Sequence, residues 1–320
     1  MEKIGIQPKI VVVGSFMMDL VVRTPRLPND GETIIGNSFR RFPGGKGANQ
    51  AVAAARLGAN VTMVGKLGND EFGQEMLATL QTENVETKNV LFDNQALTGV
   101  GSVTVDSTGN NRIVVVPGAN LHFIPEELRG VEDTISVSDM LILQLEMDVS
   151  VVEEASCIAS RNNVPVLLNP APAQPLNMEI LKRVTYLTPN ETEAELLTGI
   201  KVVDGSSAAE AAKYLLTKGV KNVVITLGKH GALIAERGNI EYIEGFSVSP
   251  VDTVAAGDSF NGAFAVAITE GKPTIEAVKF ANAAGALTVT KKGAIPSLPY
   301  RSDVERFLAA QQGFLYRAKS

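Results

Sequence analysis

The sequence contains one cysteine, two histidines and no tryptophan among its 320 residues. The single cysteine, Cys157, excludes a disulfide framework within the chain and a cysteine-rich zinc site. The two histidines, His122 and His230, do not form the H-E-x-x-H pattern of zinc peptidases. Aromatic residues make up only 5% of the chain, which disfavours a stacking platform for single-stranded nucleic acid.

The chain also lacks a basic excess and a long apolar run. Its formal charge is −6, whereas proteins that coat phosphate backbones carry a surplus of lysine and arginine. No run approaches the roughly 18 apolar residues of a membrane span, and residues 1–9 show no apolar core of a secretion signal. We therefore expect an acidic, soluble, cytoplasmic protein that binds neither nucleic acid nor membrane.

What the sequence does contain is an alternation of short apolar runs with longer amphipathic segments, which is typical of α/β proteins. Continuous apolar runs indicate strands buried on both faces, and so a mostly parallel central sheet with helices on both faces. The predicted strands are 9–13, 61–65, 139–145, 164–168, 184–187 and 222–226. The predicted helices are 48–57, 71–82, 191–198, 206–218, 258–270 and 274–290, with Asp70 and Ser206 as candidate caps.

Two stretches, about 20–42 and 99–116, interrupt this rhythm with weak alternation and turn signals such as Asn29-Asp30-Gly31. We interpret each as an antiparallel strand pair, and the two together as a small β-sheet lid. No linker and no internal repeat is visible. Residues 1–320 are therefore predicted to form a single domain that carries this lid.

Polar or small residues follow five of the predicted strands at their carboxyl ends. They are Gly14-Ser15 with Asp19, Gln144 with Glu146, Asn169, Thr188-Pro189-Asn190, and Thr226-Leu227-Gly228. Open α/β sheets bind ligands outside the carboxyl ends of their strands, although polar residues also end strands for purely structural reasons. Five such groups at one edge favour a binding site.

Two glycine-rich segments each precede a helix. Segment 43–49 (PGGKGAN) would let a ligand approach the backbone, and Asn49 offers an amide to hydroxyl groups; the alternative is a plain turn. Segment 252–262 (DTVAAGDSFNG) presents backbone N–H groups at a helix start, which favour an anion such as a phosphoryl group in transfer. Asp258 in this segment is either a helix-capping residue or a general base toward a substrate hydroxyl.

Three common motifs are absent. No G-x-x-x-x-G-K-[ST] occurs, which excludes a P-loop, and no G-x-G-x-x-G occurs, which disfavours a dinucleotide enzyme. The run Gly257-Asp258-Ser259-Phe260-Asn261 fails the G-x-S-x-G pattern of hydrolases at its last position.

Segments 44–49, 188–193 and 252–262 occur in the order and spacing of the ribokinase family of sugar kinases, and the chain resembles that family from about residue 11 to residue 300. The run GGKGANQAVAAARLGA and the run 169–173 (NPAPA) are most similar to the ribokinases within it. The resemblance implies ATP-dependent phosphorylation of the 5-hydroxyl of D-ribose, giving D-ribose 5-phosphate and ADP. It also implies a lid that covers the sugar and a homodimer formed through that lid.

The resemblance further implies a role for individual residues. Asp258 matches the family's catalytic base, and Ala255, Ala256 and Gly257 match its anion hole. The positions that match the sugar site are Asp19, Gly45, Lys46, Gly47, Asn49 and Glu146, with Met17 and Asp258. The positions that match the nucleotide site are Asn190, Thr226, Leu227, Gly228, Lys229, His230, Gly231, Gly257 and Asn282. Asn190 and Glu193 match a pair associated with Mg²⁺, and the positions that match a K⁺ site are Asp252, Val254, Thr288, Lys291, Gly293 and Ser297.

Met17 departs from the family pattern, since ribokinases often carry an asparagine there. A thioether cannot donate a hydrogen bond to a sugar hydroxyl, so a 2-deoxy-D-ribose kinase is an alternative. The other interpretation is that Met17 only packs beneath the lid. A more distant alternative is a non-catalytic sugar or nucleotide sensor, and the intact segment 252–262 argues against it.

Overall fold

The computed structural model describes residues 7–317. We expect no secretion signal in residues 1–9. Most of that stretch, residues 1–6, lies outside the described residues. Over the part that is described, none of the helices has the length and apolar character needed to cross a membrane.

The strands alternate with helices along most of the chain, as the apolar pattern predicts. The strands are β1 (Lys9–Val13), β2 (Met17–Arg23), β3 (Ser38–Gly44), β4 (Asn60–Gly68), β5 (Val85–Asp93), β6 (Val100–Val105), β7 (Asn111–Val116), β8 (Met140–Leu143), β9 (Val166–Leu168), β10 (Tyr186–Leu187), β11 (Asn222–Thr226), β12 (Gly231–Glu236) and β13 (Asn239–Glu244). The helices are α1 (Lys46–Arg56), α2 (Glu71–Thr82), α3 (Glu132–Ser136), α4 (Val149–Arg161), α5 (Met178–Arg183), α6 (Glu191–Thr198), α7 (Gly205–Thr217), α8 (Ala256–Thr269), α9 (Thr274–Thr288) and α10 (Arg301–Arg317).

Nine strands form the main sheet in the order β13-β12-β11-β10-β9-β8-β1-β4-β5. The pairings from β5 across to β11 are all parallel, and β12 and β13 add an antiparallel hairpin at one edge. The predicted mostly parallel α/β architecture is confirmed. The strands β5, β12 and β13 are additions that the sequence pattern did not predict.

The two faces of the main sheet carry two separate apolar cores. In β1, Ile10 and Val12 pack with α1, α2, α8 and α9 on one face, while Val11 and Val13 pack with α4 to α7 on the other. Successive side chains of a strand point to opposite faces, so a strand covered on both faces needs apolar residues at every position. This explains the unbroken run IVVV, whose four residues are all buried.

A second, smaller sheet has the order β3-β2-β6-β7. Its two outer pairings are antiparallel, as predicted for the stretches 20–42 and 99–116, but its central pairing, between β2 and β6, is parallel. The sheet also begins earlier than predicted, at Met17, and extends to Gly44. Strand β2 is therefore a direct continuation of the chain that leaves β1, which brings this sheet to the carboxyl edge of the main sheet.

The helix caps agree with the sequence at one of the two candidate positions. Asp70 caps α2, because its carboxylate accepts a hydrogen bond of 2.8 Å from the amide of Gly73. The Ser206 cap is wrong: α7 begins one residue earlier, and its cap is Asp204, which accepts a hydrogen bond of 2.8 Å from the amide of Ser207. Asp204 lies two residues before Ser206, and aspartate and serine are about equally favourable at the N-cap of a helix.

Candidate active site

The glycine-rich turn before α1 packs directly on the chain that leaves β1. Gly45 has a φ of 91°, and a Cβ on it would lie 2.7 Å from the amide nitrogen of Met17. A Cβ on Gly47 would lie 2.4 Å from the amide nitrogen of Ser15. Only glycine fits both positions, so these residues serve a close backbone approach that brings the start of α1 to the end of β1.

Glu146, which follows β8, is held at this junction by two hydrogen bonds. One of its carboxylate oxygens accepts from the hydroxyl of Ser15 at 2.5 Å and from the amide of Lys46 at 2.9 Å. The structure therefore brings Glu146 together with the turn 44–47, as the sequence predicts. Ser15 is fully buried, and its hydroxyl holds the Glu146 carboxylate from the protein interior.

Asp258 lies in the first turn of α8 and is buried, with 6% of its surface exposed. Its Oδ2 accepts a hydrogen bond of 2.9 Å from the side-chain amide of Asn49, and its Oδ1 accepts one of 3.0 Å from that of Gln50. The N-cap of α8 is Ala255, and no side chain of residues 7–317 caps the helix. The capping interpretation of Asp258 is therefore wrong, because its carboxylate points to α1 and not to the backbone amides of its own helix.

The backbone at the start of α8 leaves donors free. Ala255 has a φ of 60°, a left-handed conformation that costs a non-glycine residue about 1–2 kcal/mol. Within residues 7–317, the amides of Gly257 and Asp258 find no acceptor, and Ala256 donates only a long bond of 3.4 Å to Thr253. Unpartnered amides at a helix N-terminus attract an anion, and here they lie beside the Asp258 carboxylate.

Asp19 on β2 lies in a narrow gap between two strands. A Cβ on Gly101 would lie 2.5 Å from its Oδ1, and a Cβ on Gly44 would lie 3.2 Å from its Oδ2. Burial, followed by the nearby carboxylates of Glu146 and Asp258, raises the pKa of Asp19 to about 6. The three carboxylates thus converge on one space, at the edge of a groove of about 910 Å³ between the second sheet and the segments 250–254 and 292–296.

Lys46 supplies the positive charge in this space. Burial lowers the pKa of its ammonium group, but the carboxylates of Asp258, Glu146 and Glu193 outweigh that effect, so the pKa is raised on balance. Lys46 is therefore protonated at neutral pH.

Met17 lies two residues before Asp19 on β2 and therefore on the same face of that strand. It is 4% exposed, and a Cβ on Gly99 would lie 2.7 Å from its sulfur. Its packing partner Gly99 precedes β6, and the neighbouring Asn120 binds the backbone of Phe16 through hydrogen bonds of 2.9 and 2.7 Å. Met17 thus packs against Gly99 on the face of β2 that also carries Asp19, so the packing interpretation and the sugar contact both stay predictions.

Asn190 and Glu193 form a reciprocal cap at the start of α6. Asn190 accepts a hydrogen bond of 2.8 Å from the amide of Glu193, and the two oxygens of Glu193 accept from the amide of Asn190 at 2.9 Å and from its side chain at 3.0 Å. Burial raises the pKa of Glu193; the amide of Asn190 and Lys46 oppose that effect, and Asp258 and Glu191 add to it. Glu193 is therefore near both Lys46 and Asp258.

The residues predicted to bind nucleotide lie at the end of β11. Asn190 pairs with Thr226 as an isolated bridge, which joins the start of α6 to this strand end. The turn from Leu227 to Gly231 follows, closed by a hydrogen bond of 2.8 Å from Leu227 to Gly231, and Gly228, Lys229 and His230 in it are exposed. Asn282 on α9 donates to the carbonyls of Ile243 and Glu244, beside the end of β13.

The six positions predicted to bind a monovalent cation lie in two adjacent segments, the loop before α8 and the stretch from the end of α9 to residue 297. The carboxylate of Asp252 accepts hydrogen bonds from the amides of Val254 at 3.2 Å and Gly293 at 3.0 Å. In the described part of the chain, the carbonyls of Val254, Lys291 and Gly293 receive no hydrogen bond. The hydroxyls of Thr288 and Ser297 are used internally, since they donate to Ala284 and Ala294. No group of three or more His, Cys, Asp or Glu side chains that could hold a metal occurs among the described residues.

One residue of the site, Gln50, is absent from the sequence predictions, and Ser15 was named only among the polar residues that follow the strands. Gln50 contacts the Asp258 carboxylate and Ser15 contacts Glu146. A usable signal for Gln50 was its position in an otherwise apolar run, AVAAA, directly after Asn49. A fully buried amide in such a run needs a polar partner.

The comparisons with known proteins agree with the resemblance drawn from the sequence. Residues 7–301 match the family model described as "pfkB family carbohydrate kinase". The chain is 44% identical to a ribokinase of Haemophilus influenzae over 93% of this chain and 98% of that one, and 35% identical to a deoxyribokinase of Salmonella typhi over 95% and 99%. The structure of an Arabidopsis thaliana ribokinase complexed with ribose and ATP superposes with a TM-score of 0.90 at 35% identity, covering 95% of this chain and 99% of that one.

Proposed function

The chain belongs to the pfkB family of carbohydrate kinases, and we propose that it transfers the γ-phosphoryl group of ATP to the 5-hydroxyl of D-ribose, giving D-ribose 5-phosphate and ADP. The observation that carries this proposal is the position of Asp258. A buried carboxylate without a capping role lies beside the amides of Gly257 and of Asp258 itself, which find no acceptor in the described part of the chain. A base for a hydroxyl nucleophile and donors for a phosphoryl group are thus found together.

Asp258 accepts the proton of the sugar hydroxyl as that oxygen attacks the γ-phosphorus. Phosphoryl transfer requires positioning and charge stabilisation more than covalent chemistry. The amides at the start of α8, with Ala255, Ala256 and Gly257, would hold the transferring group, and the ammonium of Lys46 would balance its charge. Asn49 donates a hydrogen bond to one oxygen of the Asp258 carboxylate and so holds that carboxylate toward the sugar hydroxyl.

The remaining sugar contacts follow from the polar atoms that the fold leaves free. Among the described residues, the Oδ1 of Asn49 is buried and has no hydrogen-bond partner. Such an atom matches a hydroxyl donor. The carboxylates of Asp19 and Glu146 would accept from further hydroxyls of the sugar, and Gly45 and Gly47 allow the ring to lie against the backbone.

ATP would be bound at the end of β11, with its phosphates directed to α8. Asn190, Thr226, Leu227, Gly228, Lys229, His230, Gly231, Gly257 and Asn282 are the proposed nucleotide contacts. Mg²⁺ would neutralise phosphate charge there. Both oxygens of Glu193 are already engaged by Asn190, so this pair fits a hydrated ion held through water, which is how Mg²⁺ is usually bound.

A K⁺ site is proposed between the loop before α8 and the stretch from the end of α9 to residue 297, with the positions Asp252, Val254, Thr288, Lys291, Gly293 and Ser297. The carbonyls of Val254, Lys291 and Gly293, which accept no hydrogen bond from the described residues, are ligands of the right kind. Segment 252–254 leads directly into the start of α8, so a cation there would stabilise the anion hole.

The second sheet is proposed to act as the lid of a single catalytic domain that spans residues 1–320, and to join two copies of the chain. Phe39, Val114 and Val116 are 61%, 65% and 53% exposed and lie on the sheet face opposite to Asp19. Paired residues of neighbouring strands share a face, which places Asp19, Gly101 and Val115 on the other side. Arg41 and Arg112 share the outer face with these exposed apolar side chains, and the exposed apolar side chains are what supports a homodimer. A cytoplasmic location is proposed as well, since ATP is the phosphoryl donor.

The experiment that tests the function is a coupled ADP-release assay with D-ribose, 2-deoxy-D-ribose, D-fructose and adenosine as acceptors. The highest kcat/KM is expected for D-ribose, with D-ribose 5-phosphate as the product. A higher kcat/KM for 2-deoxy-D-ribose would favour the deoxyribose alternative, which rests on Met17. Absence of ADP release with every acceptor would favour a non-catalytic sensor.

A further inference from the structure

Behind Asp258 lies a chain of buried amide and hydroxyl groups that the proposed mechanism does not use. We call it the amide chain; its members are Gln144, Gln50, Asn169, Thr188 and Asn261. Gln144 donates to Gln50 at 2.8 Å, Gln50 donates to Asn169 at 3.1 Å, Asn169 donates to the carbonyl of Thr188 at 3.2 Å, and Thr188 donates to Asn261 at 2.5 Å. Asn261 returns to the start of α8, where it donates to the carbonyl of Gly257 at 2.8 Å.

Gln50 is the one member of the amide chain that contacts the Asp258 carboxylate, as far as the described residues go. It is fully buried, and so is Gln144. An ionised carboxylate can only accept hydrogen bonds, so the nitrogen of Gln50 must face Asp258. The oxygen of Gln50 must then face a donor, and Gln144 provides it at 2.8 Å. The orientation of the Gln50 amide is therefore determined at both ends.

These contacts distinguish the two amides that hold Asp258. Asn49 binds Oδ2 and keeps its own oxygen free toward the proposed sugar space, whereas Gln50 binds Oδ1 and connects away from that space to the ends of β8 and β9. Among the described residues, the Oε1 of Gln144 is the one side-chain atom of the amide chain that is buried without a hydrogen-bond partner, and buried groups that are paired hold one another in one geometry. A carboxylate bound on each oxygen by a separate amide cannot rotate without losing one of the two bonds.

We propose that Gln50 is a positioning residue for the reaction: it orients the Asp258 carboxylate through Oδ1, so that a lone pair of the carboxylate is aimed at the hydroxyl to be phosphorylated. Gln50 acts through Asp258 and does not itself contact the sugar or ATP. This inference rests on the proposed role of Asp258 as the base. A purely structural role for Gln50 would lower stability, but it would not make the effect on turnover depend on Asp258.

The test is a double-mutant cycle with Gln50→Met, which keeps the length of the side chain but has no N–H donor, and Asp258→Asn. Loss of a hydrogen bond to a charged group is expected to lower kcat for D-ribose by roughly 10- to 100-fold, with the KM values for ribose and ATP changed by less than about 3-fold. In the Asp258→Asn background, Gln50→Met is expected to cause no further loss of the residual turnover. Gln50→Glu, which keeps size and the contact with Gln144 but replaces the donor by an oxygen, is expected to lose at least as much kcat.

Ser156→Ala is the control for a purely structural loss. Ser156 is fully buried on α4, which packs on the opposite face of the main sheet from α1 and α8, and its hydroxyl donates to the carbonyl of Glu153. Its removal should lower the melting temperature while reducing kcat by less than about 3-fold. The proposal is overturned if Gln50→Met or Gln50→Glu keeps wild-type kcat, or if Gln50→Met lowers kcat by the same factor with and without the Asp258 carboxylate. Wild-type protein that releases no ADP with ribose overturns the proposed function itself, which is a separate result.

Discussion

Asp19 links the binding of the sugar to the stability of the free protein, and Asp19→Asn tests that link. Burial, followed by the carboxylates of Glu146 and Asp258, raises the pKa of Asp19 from 3.8 to about 6. The difference of about 2.2 pK units corresponds to about 3 kcal/mol of folding free energy, at about 1.4 kcal/mol per unit. Replacement by asparagine keeps the shape and removes this cost.

The pH dependence follows from the direction of the pKa change. Because the pKa of Asp19 is higher in the folded state, the folded protein binds the proton more tightly than the unfolded chain does. The cost of the charge is absent below about pH 4 and complete above about pH 6, so the Asp19 carboxylate makes the wild type less stable as pH rises through that window. Asp19→Asn is therefore expected to stabilise the ligand-free protein by about 1 kcal/mol at pH 4.5 and by up to about 3 kcal/mol at pH 8.

Urea unfolding of the wild type and of Asp19→Asn at these two pH values measures the effect. Asp30→Asn, in an exposed turn, is the control and should change stability by less than about 0.5 kcal/mol. The same Asp19→Asn protein should bind D-ribose at least about 10-fold more weakly, because it loses a charged acceptor. A variant that is less stable than wild type at pH 8, or a gain that does not change with pH, would refute the reasoning.

Three further outcomes are expected. The KM for D-ribose should rise as pH falls below about 6, because the Asp19 carboxyl becomes protonated there and loses an acceptor site; a flat profile between pH 5 and pH 8 would contradict this. Turnover should be faster in K⁺ than in Na⁺ at equal ionic strength, and Asp252→Asn should remove the difference; identical rates for the wild type would count against the cation site. Val114→Asp should shift the protein from dimer to monomer in sedimentation velocity, whereas Lys88→Asp on β5 should not; a dimer that persists in Val114→Asp would exclude the outer face of the second sheet as its interface.

The sequence predicted the centre of the fold better than its edges. β1 and β11 have the bounds that their apolar runs indicate. A strand that is buried on both faces needs apolar residues at nearly every position, so the run marks the strand. The strands β5 (VETKNVLFD) and β13 (NIEYIE) were not predicted, since they lie at the two edges of the sheet and mix polar and apolar residues. The short run of β12 (GALIAE) was missed although five of its six residues are buried. The parallel pairing of β2 with β6 joins residues about 80 positions apart, which no local pattern encodes.

The site was predictable where a motif carries it and not where distant contacts decide it. The segments around Asn49, Glu146 and Asp258 could be named from the sequence. Whether Asp258 caps its helix or acts as a base depends on contacts with Asn49 and Gln50, more than 200 residues away in the chain. Gln50 was missed for the same reason, since a neutral amide in an apolar helix shows its role only when its partner is known.

The central claim is that the protein phosphorylates D-ribose with Asp258 as the base, and the kcat of Asp258→Asn tests it most directly. Asparagine keeps the size of the side chain but cannot accept the proton of the hydroxyl. We expect kcat for D-ribose to fall at least about 100-fold, the lower range for loss of a general base, while isothermal titration calorimetry still detects binding of ribose and of ATP. Near-wild-type kcat in Asp258→Asn, with both ligands bound, would contradict the account.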